Sequence, residues 1–229
     1  MLRKALILMA VLGAAACDNG MNNGGVGGGS GTGGSGAGGG GTGGSGGGAD
    51  PIAQSAKANV RFKRAFRLTA DYAQALSLPV GQLCNELGQY PCTTVVHPIA
   101  LGSTDPYGVG LYEPLPFTGM SSPIVTDRVA LSACLQRVQA DLAAGSSAVV
   151  FKGVVPDGAG KLNIESSEVR EAIDALYRRA TLRRATDAEV GHLKQLYKDI
   201  EATGKAQAGQ SWMTLSCFAV LTSVEALFY

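Results

Sequence analysis

Four stretches of the chain place apolar residues three and four positions apart, which is the spacing of one face of an α-helix. These stretches cover residues 56–76, 126–144, 167–180 and 186–203. Their apolar stripes are Phe62, Phe66, Ala73 and Leu76; Val129, Ala133, Leu135, Val138 and Leu142; Val169, Ile173, Leu176 or Tyr177, and Ala180; Val190, Leu193, Tyr197 and Ile200. The pattern predicts a mainly α fold, a helical bundle.

The last two of the predicted helices have the clearest signals. Thr186 and Glu189 have the spacing of a capping box at the start of the segment 186–203, and Gly204 is placed to end it. Residues 212–228 are apolar on nearly every face, which is typical of a central core helix or a membrane span. Polar residues interrupt this segment and no basic residues flank it, so we expect a core helix.

Residues 90–123 form a long irregular segment rich in proline and glycine, with at most short strands such as 93–96. A second β-branched run, 148–155, ends at the turn sequence 156–158. A long loop inside a compact domain is often functional. The alternative is that this segment covers the core and packs Tyr107, Tyr112 and Phe117 onto the helices.

The first 17 residues have the layout of an export signal. Arg3 and Lys4 precede an apolar run at 5–16, which is too short to cross a bilayer but suits a signal peptide. Small residues lead into Cys17, and this end of the segment resembles a bacterial lipobox, although Ala14 replaces the usual leucine. The resemblance implies acylation of Cys17 with palmitate-type chains. The alternative is ordinary cleavage after Ala16, which gives a secreted protein with a free Cys17.

Most of the chain's 33 glycines lie in residues 18–50, where a Gly/Ser-rich repeat begins at Gly31 and again at Gly41. Such a segment cannot bury enough surface to offset its ordering entropy, so we expect a disordered tether. A flexible tether of this length has a root-mean-square span of about 30 Å. The predicted organisation is a signal peptide at 1–16, a lipid-anchored tether at 17–50 and a helical domain at 51–229 with a sub-boundary near 156–165.

Charge and cysteine content narrow the class of protein. The chain carries 19 Lys and Arg against 18 Asp and Glu, without the basic excess of a nucleic-acid-binding protein. Two basic clusters are predicted to be solvated helix faces or ends: Arg61, Lys63, Arg64 and Arg67; Arg178, Arg179, Arg183 and Arg184.

Four cysteines beyond Cys17 suit disulfides in an exported protein, and the spacing favours Cys84–Cys92 with Cys134–Cys217. Free buried thiols and a metal site are the alternatives to these bridges. No C-x-x-C pair occurs, so the sequence predicts no metal or haem site and no cofactor.

No nucleophile elbow, P-loop, dinucleotide fingerprint or H-E-x-x-H motif occurs, and no catalytic residues are predicted. The chain has two histidines, and His97 lies in the irregular segment with Asp105. These two residues are the candidates for a ligand site. A triad of His97, Asp105 and Ser121 can be composed on paper, as it can in most chains of this size.

The C-terminal sixty residues carry a further resemblance, in the stretches 175–180, 182–190 and 220–229. They are similar to an uncharacterised helical domain of large exported proteins from planctomycete-like and myxobacteria-like bacteria, often found beside cytochrome-type haem modules. Ala185 and Val224 stand where that domain usually has proline. The resemblance implies no catalytic residues, and a redox role here would come through a partner.

The sequence therefore predicts an exported cell-envelope lipoprotein, bound to a membrane through its lipid, that acts as a non-enzymatic interaction or structural module with a protein partner. Asp18 resembles the inner-membrane retention signal of enteric lipoproteins, but that sorting rule differs between bacterial groups, so the choice between inner and outer membrane stays open. One alternative is an accessory subunit of an exported redox or degradative complex. Another is a hydrolase or ligand-binding protein that uses residues 90–123.

Overall fold

The computed structural model describes residues 61–114 and 121–229, and it is mainly helical, as the sequence predicts. The helices are α1 (Ala65–Leu76), α2 (Val80–Leu83), α3 (Ser121–Ala144), α4 (Ser167–Thr181), α5 (Asp187–Ala202), α6 (Ala208–Leu221) and α7 (Val224–Leu227). Strands β1 (Asn85–Glu86) and β2 (Tyr90–Pro91) form a small antiparallel hairpin, followed by a π-helical turn at Cys92–Val96, and a 3-10 turn at Gly145–Ser147 follows α3. In the described ranges, no helix has the length and apolarity needed to cross a membrane. The predicted signal peptide, Cys17 and the tether lie outside these ranges.

Helix α6 lies in the middle of the core, against α3, α4 and α5, which confirms the predicted central helix. Its Trp212 is fully buried, donates a hydrogen bond from Nε1 to the Leu193 carbonyl at 2.7 Å, and meets Phe151 edge-on at 6.3 Å. The helix ends at Leu221, however, and Ser223 caps the separate helix α7 by accepting a hydrogen bond from the Ala226 N–H. The segment 212–228 is therefore two helices rather than one.

The chain before α1 pairs with the C-terminus instead of extending the helix. The Arg61 N–H donates to the Tyr229 carbonyl at 2.9 Å, and the Tyr229 N–H donates back to the Arg61 carbonyl at 3.0 Å. The rings of Phe62 and Phe228 meet edge-on at 5.6 Å. The predicted helical start at residue 56 is therefore wrong for residues 61–64, because backbone pairing with a distant segment competes with the helix there.

The buried face of α1 differs from the predicted stripe. Phe66 is 86% exposed, and the predicted Leu76 is buried on a face that it shares with Leu68 and Tyr72. The Tyr72 hydroxyl donates to the Leu221 carbonyl at 2.9 Å. Burial raises the pKa of this phenol above its ordinary value. Phe62 and Phe66 are spaced like neighbours on one helical face, but the helix includes only Phe66.

Helix α3 buries part of the predicted stripe, since three of its residues are fully buried: Val129, Ala133 and Val138. Leu135 and Leu142 are about two-fifths exposed, whereas Arg137 and Asp141 are buried. The two buried charges form an ion pair at 2.8 Å, and Arg137 also donates to the Leu76 carbonyl at 3.2 Å. The apolar pattern could not show this, because the face is buried through ionic and hydrogen-bonding groups.

The β-branched run 148–155 is a series of bends and turns rather than a strand. Asp141 accepts hydrogen bonds from three successive backbone N–H groups, those of Val149 (2.7 Å), Val150 (3.0 Å) and Phe151 (2.9 Å). A buried N–H without a partner is costly, so this single carboxylate substitutes for a neighbouring strand.

Helices α4 and α5 follow the sequence closely. Ser166 caps α4, and Thr186 with Glu189 forms the predicted capping box of α5. Two arginines of the second basic cluster are not simply solvated. Arg179 donates to the Gln74 carbonyl at 3.2 Å, at the C-terminal end of α1, and Arg183 joins three parts of the fold.

Arg183 is the centre of a charged cluster at the junction of α4, α5 and α7. Its guanidinium donates to both carboxylate oxygens of Glu189 (2.7 and 2.9 Å) and to both of Glu225 (2.6–3.0 Å). It also lies 5.1 Å from the centre of the Tyr177 ring. Bidentate pairs of this kind fix geometry as well as adding energy. The cluster holds α7 against the start of α5.

The charged cluster leads to a prediction about acid stability. Hydrogen bonds from Arg183, and then those from Thr186, lower the pKa of Glu189 from 4.5 to about 2. A carboxylate with a lowered pKa stabilises the fold above its unfolded pKa and loses that contribution as the pH falls towards the folded value. Between pH 5 and pH 2.5, we expect the free energy of unfolding in urea to fall less in Glu189→Gln than in the parent. The difference should be about 1 kcal/mol at most, because the cluster is partly solvated. Glu171→Gln, at an exposed position on α4, is the matched control, and an unchanged slope in Glu189→Gln would contradict the prediction.

Candidate functional site

A short hairpin closed by a disulfide forms one wall of the candidate site. In the structure, Cys84 is bonded to Cys92 and Cys134 to Cys217, which is the pairing that the spacing favours. Cys84 and Cys92 lie at the two ends of the hairpin, and the Cys92 N–H donates to the Cys84 carbonyl at 3.1 Å. Leu87 and Gly88 make the turn with positive φ angles of 50° and 76°. The disulfides indicate an oxidising environment, such as that of an exported protein.

The hairpin places the carboxylate of Glu86 between a guanidinium and an imidazole. Its Oε2 accepts a hydrogen bond from Arg128 Nη2 of α3 at 2.5 Å, and its Oε1 lies 3.2 Å from His97 Nε2. The same Oε1 is 3.8 Å from Cys92 Sγ. Sequence reasoning missed both Glu86 and Arg128, which lie 42 residues apart. The spacing of Glu86 two residues after a cysteine was the only local signal.

His97 follows the π-helical turn, where the strand predicted at 93–96 does not form. The His97 N–H donates to the Cys92 carbonyl at 2.7 Å, and the Leu101 N–H donates to the His97 carbonyl at 3.1 Å. These bonds fold the β-branched run back on itself. In this backbone conformation, Nε2 of the imidazole lies beside Glu86.

Asp105 is used by its own loop. It forms an isolated β-bridge with Leu111, and its Oδ1 accepts a hydrogen bond from the Gly108 N–H at 2.8 Å. This is an Asx-type turn, in which the side chain organises the backbone that follows it. The Asp105 carboxylate therefore accepts a hydrogen bond that stabilises its own loop.

An open cleft of about 450 Å³ lies beside these residues. His97, Asp105 and Ser121 all line it, together with the apolar residues Val95, Val96, Pro98, Ile99, Ala100 and Val109. Within the described ranges, no hydrogen bond connects the three polar residues to one another, and the carboxylate that partners His97 is Glu86. The structure therefore brings His97, Asp105 and Ser121 to one cleft but does not connect them by the hydrogen bonds of a catalytic triad.

The segment around the cleft exposes large apolar side chains. Tyr107 is fully exposed and Tyr112 is 77% exposed, so neither packs onto the helices as a cover would. Other exposed apolar residues of this segment are Leu87, Tyr90, Val95, Val96 and Val109. Phe117, the third predicted cover residue, lies outside the described residues.

Only one group of side chains in the described ranges has the donor set of a metal site. One ligand atom each from Cys84, Glu86 and Cys92 lies within 4.8 Å of the others. With the disulfide intact the sulfurs are not thiolates and cannot serve as strong metal ligands.

Comparison of the chain with protein-family models, curated proteins and solved structures found no match.

Proposed function

We propose that this chain is a non-enzymatic binding module of the bacterial cell envelope, lipid-anchored through Cys17, whose partner-binding surface is the stapled segment, residues 84–112. The observation that carries the proposal is the exposure of Tyr107 and Tyr112 in the same segment that supplies most of the lining of an apolar cleft. Contiguous exposed apolar surface marks interaction sites in soluble domains. Tyrosine is enriched at protein interfaces because it offers a large contact area with few rotatable bonds.

The local structure of the stapled segment favours binding over catalysis. The Cys84–Cys92 bridge and the Asp105 turn hold the backbone of a segment whose regular structure is limited to the two-residue strands of the hairpin and one π-helical turn. A preorganised surface loses less entropy on binding than a flexible loop does. The cleft lined by Val95, Val96 and Ile99 suits an apolar anchor side chain of a protein partner, since such anchors carry much of the binding energy of an interface.

The anchor and tether complete this proposal, although both lie outside the described residues. Two acyl chains hold a protein stably on a membrane, and a tether with a span of about 30 Å lets the domain search the space above it. The form of the proposal in which the partner is an exported redox or degradative complex rests on the resemblance of the C-terminal sixty residues alone. The identity of the captured partner decides between these forms.

Site-specific photo-crosslinking in cells tests the binding surface. A benzophenone amino acid replaces Tyr107 in the full chain, and in a matched control it replaces Leu182, which is 90% exposed in the turn after α4. We expect one discrete crosslinked protein from position 107, none from position 182, and loss of both membrane attachment and that crosslink in Cys17→Ala. Equal products from both positions, or no product from position 107, would contradict the proposal.

Ligand binding in the cleft is a second candidate, favoured by its volume and by the imidazole of His97 in its wall. Pockets that bind small molecules are mostly apolar with a few fixed polar groups, as this cleft is. Native mass spectrometry of the protein purified from its own membrane separates the two candidates. A small-molecule adduct that is lost in His97→Ala would favour ligand binding, and a bare chain would favour the protein partner.

A further inference from the structure

The hairpin disulfide lies among groups that are metal ligands in other contexts. Glu86 Oε1 is 3.8 Å from Cys92 Sγ and 3.2 Å from His97 Nε2. One ligand atom each from Cys84, Glu86 and Cys92 lies within 4.8 Å of the others. Neither a hydrophobic core nor a simple surface bridge requires a carboxylate and an imidazole beside a disulfide. We propose a binding site for a thiophilic divalent cation such as Zn²⁺ that becomes available when the Cys84–Cys92 disulfide is reduced. The ligands of this site are the two cysteines, Glu86 and His97.

Two of the six separations between the four ligand atoms already fit a tetrahedral cation. Zinc binds sulfur at about 2.3 Å and nitrogen or oxygen at about 2.0–2.2 Å. Tetrahedral angles then separate a nitrogen and an oxygen ligand by about 3.3 Å, and a sulfur and an oxygen ligand by about 3.6 Å. The observed separations from Glu86 Oε1 are 3.2 Å to His97 Nε2 and 3.8 Å to Cys92 Sγ. Two adjustments remain: the cysteine side chains rotate apart once their bond is broken, and the His97 ring moves towards the sulfurs, because it lies outside the group of ligand atoms within 4.8 Å of one another.

The site needs two thiolates, so its chemistry begins with a two-electron reduction. An external dithiol reductant attacks the Cys84–Cys92 bond, becomes a disulfide itself, and leaves two thiols on the protein. Binding of Zn²⁺ then releases the two thiol protons to solvent, because the ligands are thiolates. Glu86 supplies a carboxylate oxygen and His97 a neutral imidazole nitrogen, which together complete four ligands.

Both disulfides are buried, but they differ in how much structure has to open before a reductant reaches them. Cys84 and Cys92 flank a ladder of two residue pairs, and the turn between the strands is exposed at Leu87. So short a ladder opens locally at small cost. Cys134 and Cys217 are both fully buried between α3 and α6, at the centre of the core. A mild reductant is therefore expected to open the hairpin bridge first.

Metal binding at this site would also act on the neighbouring cleft. Glu86 holds both Arg128 of α3 and His97 of the cleft wall in the oxidised protein. A cation that takes the Glu86 and His97 ligand atoms replaces their contact with each other. The reduced, metal-loaded protein therefore presents a different cleft wall from the oxidised one.

The test uses the full chain carrying Cys17→Ala, so that the only thiols are those that reduction releases. The protein is treated with a phosphine under native conditions, the free thiols are counted by alkylation and mass spectrometry, and Zn²⁺ or Co²⁺ is titrated. We expect two alkylated cysteines, Cys84 and Cys92, with an unchanged far-ultraviolet circular dichroism spectrum. We also expect one equivalent of metal, a thiolate-to-cobalt absorption band, and no uptake by the oxidised protein.

Side-chain variants distinguish a built site from metal bound by bare thiols. Glu86→Gln and His97→Ala are expected to weaken Zn²⁺ binding about tenfold or more each, because each removes or replaces a ligand. The matched controls Glu171→Gln and His192→Ala, which change an exposed carboxylate and an exposed imidazole elsewhere, leave the affinity unchanged. The proposal is overturned if the reduced chain binds no metal. It is also overturned if Glu86→Gln and His97→Ala bind as tightly as the parent, or if both disulfides open together.

Discussion

Replacement of Asp141 by alanine is expected to lower the free energy of unfolding by about 3–5 kcal/mol. The side chain is fully buried and serves four partners: the guanidinium of Arg137 and the N–H groups of Val149, Val150 and Phe151. Alanine leaves three N–H groups without their acceptor, and it leaves the nearly buried Arg137 with the Leu76 carbonyl but without its carboxylate partner. A buried group that loses its partner pays its full desolvation cost, which exceeds the net value of an ordinary hydrogen bond.

The effect should reach the centre of the core, because Phe151 packs on Trp212 of α6. Urea unfolding followed by circular dichroism gives the free energies. Asp127→Ala is the matched control on the same helix, since Asp127 is exposed, and a change within about 0.5 kcal/mol is expected for it. Asp141→Asn keeps the shape and one acceptor oxygen, so its loss should lie between those of the alanine variant and the control. An Asp141→Ala protein within 1 kcal/mol of the parent would show that the loop 148–155 finds other partners.

The parts of the fold that could be predicted from the sequence are those with local causes. The capping box at Thr186 and Glu189 needs only residues three positions apart, and α4 and α5 begin and end within a residue or so of their predicted bounds. The pairing of the cysteines also followed from loop length and from the prediction of helices around Cys134 and Cys217. In each case the information lies within one or two elements.

The incorrect predictions have distant causes. Residues 61–64 are extended because Arg61 pairs with Tyr229 at the other end of the domain, which no local pattern indicates. The buried face of α3 includes Arg137 and Asp141, whose partners come from α1 and from residues 149–151. A hydropathy pattern assigns such charges to solvent, because it does not include the hydrogen bonds that offset the cost of removing them from water.

The candidate site shows the same division. His97 and Asp105 could be singled out from their residue types and from the irregular segment around them. Glu86 could not, because its role depends on His97, 11 residues away, and on Arg128, 42 residues away. The exposure of Tyr107 and Tyr112 was also unpredictable, since aromatic residues in a loop pack onto a core more often than they face solvent.

Loss of the Cys134–Cys217 bridge is expected to cost about 4.5 kcal/mol, against about 2.5 kcal/mol for the Cys84–Cys92 bridge. The reason is loop length: the first bridge joins residues 83 positions apart and the second joins residues 8 positions apart. Closing a longer loop removes more conformational entropy from the unfolded chain. The measurement is the free energy of unfolding of Cys134→Ala/Cys217→Ala and of Cys84→Ala/Cys92→Ala, each against the parent.

The two bridges serve as controls for each other in this comparison. Both variants replace two cysteines by alanine, and three of the four residues are fully buried, so the packing change is similar in kind. A hairpin variant that loses as much stability as the core variant would contradict the loop-length argument and would point to native-state contacts of the hairpin instead.

The smaller stability loss expected for the hairpin bridge also matters for the proposed metal site. A protein that loses only about 2.5 kcal/mol with its hairpin bridge stays folded when reduced there, since domains of this size are stable by about 5–15 kcal/mol. The core bridge then preserves the scaffold on which Glu86 and His97 are held, so one disulfide is free to change its redox state while the other maintains the fold.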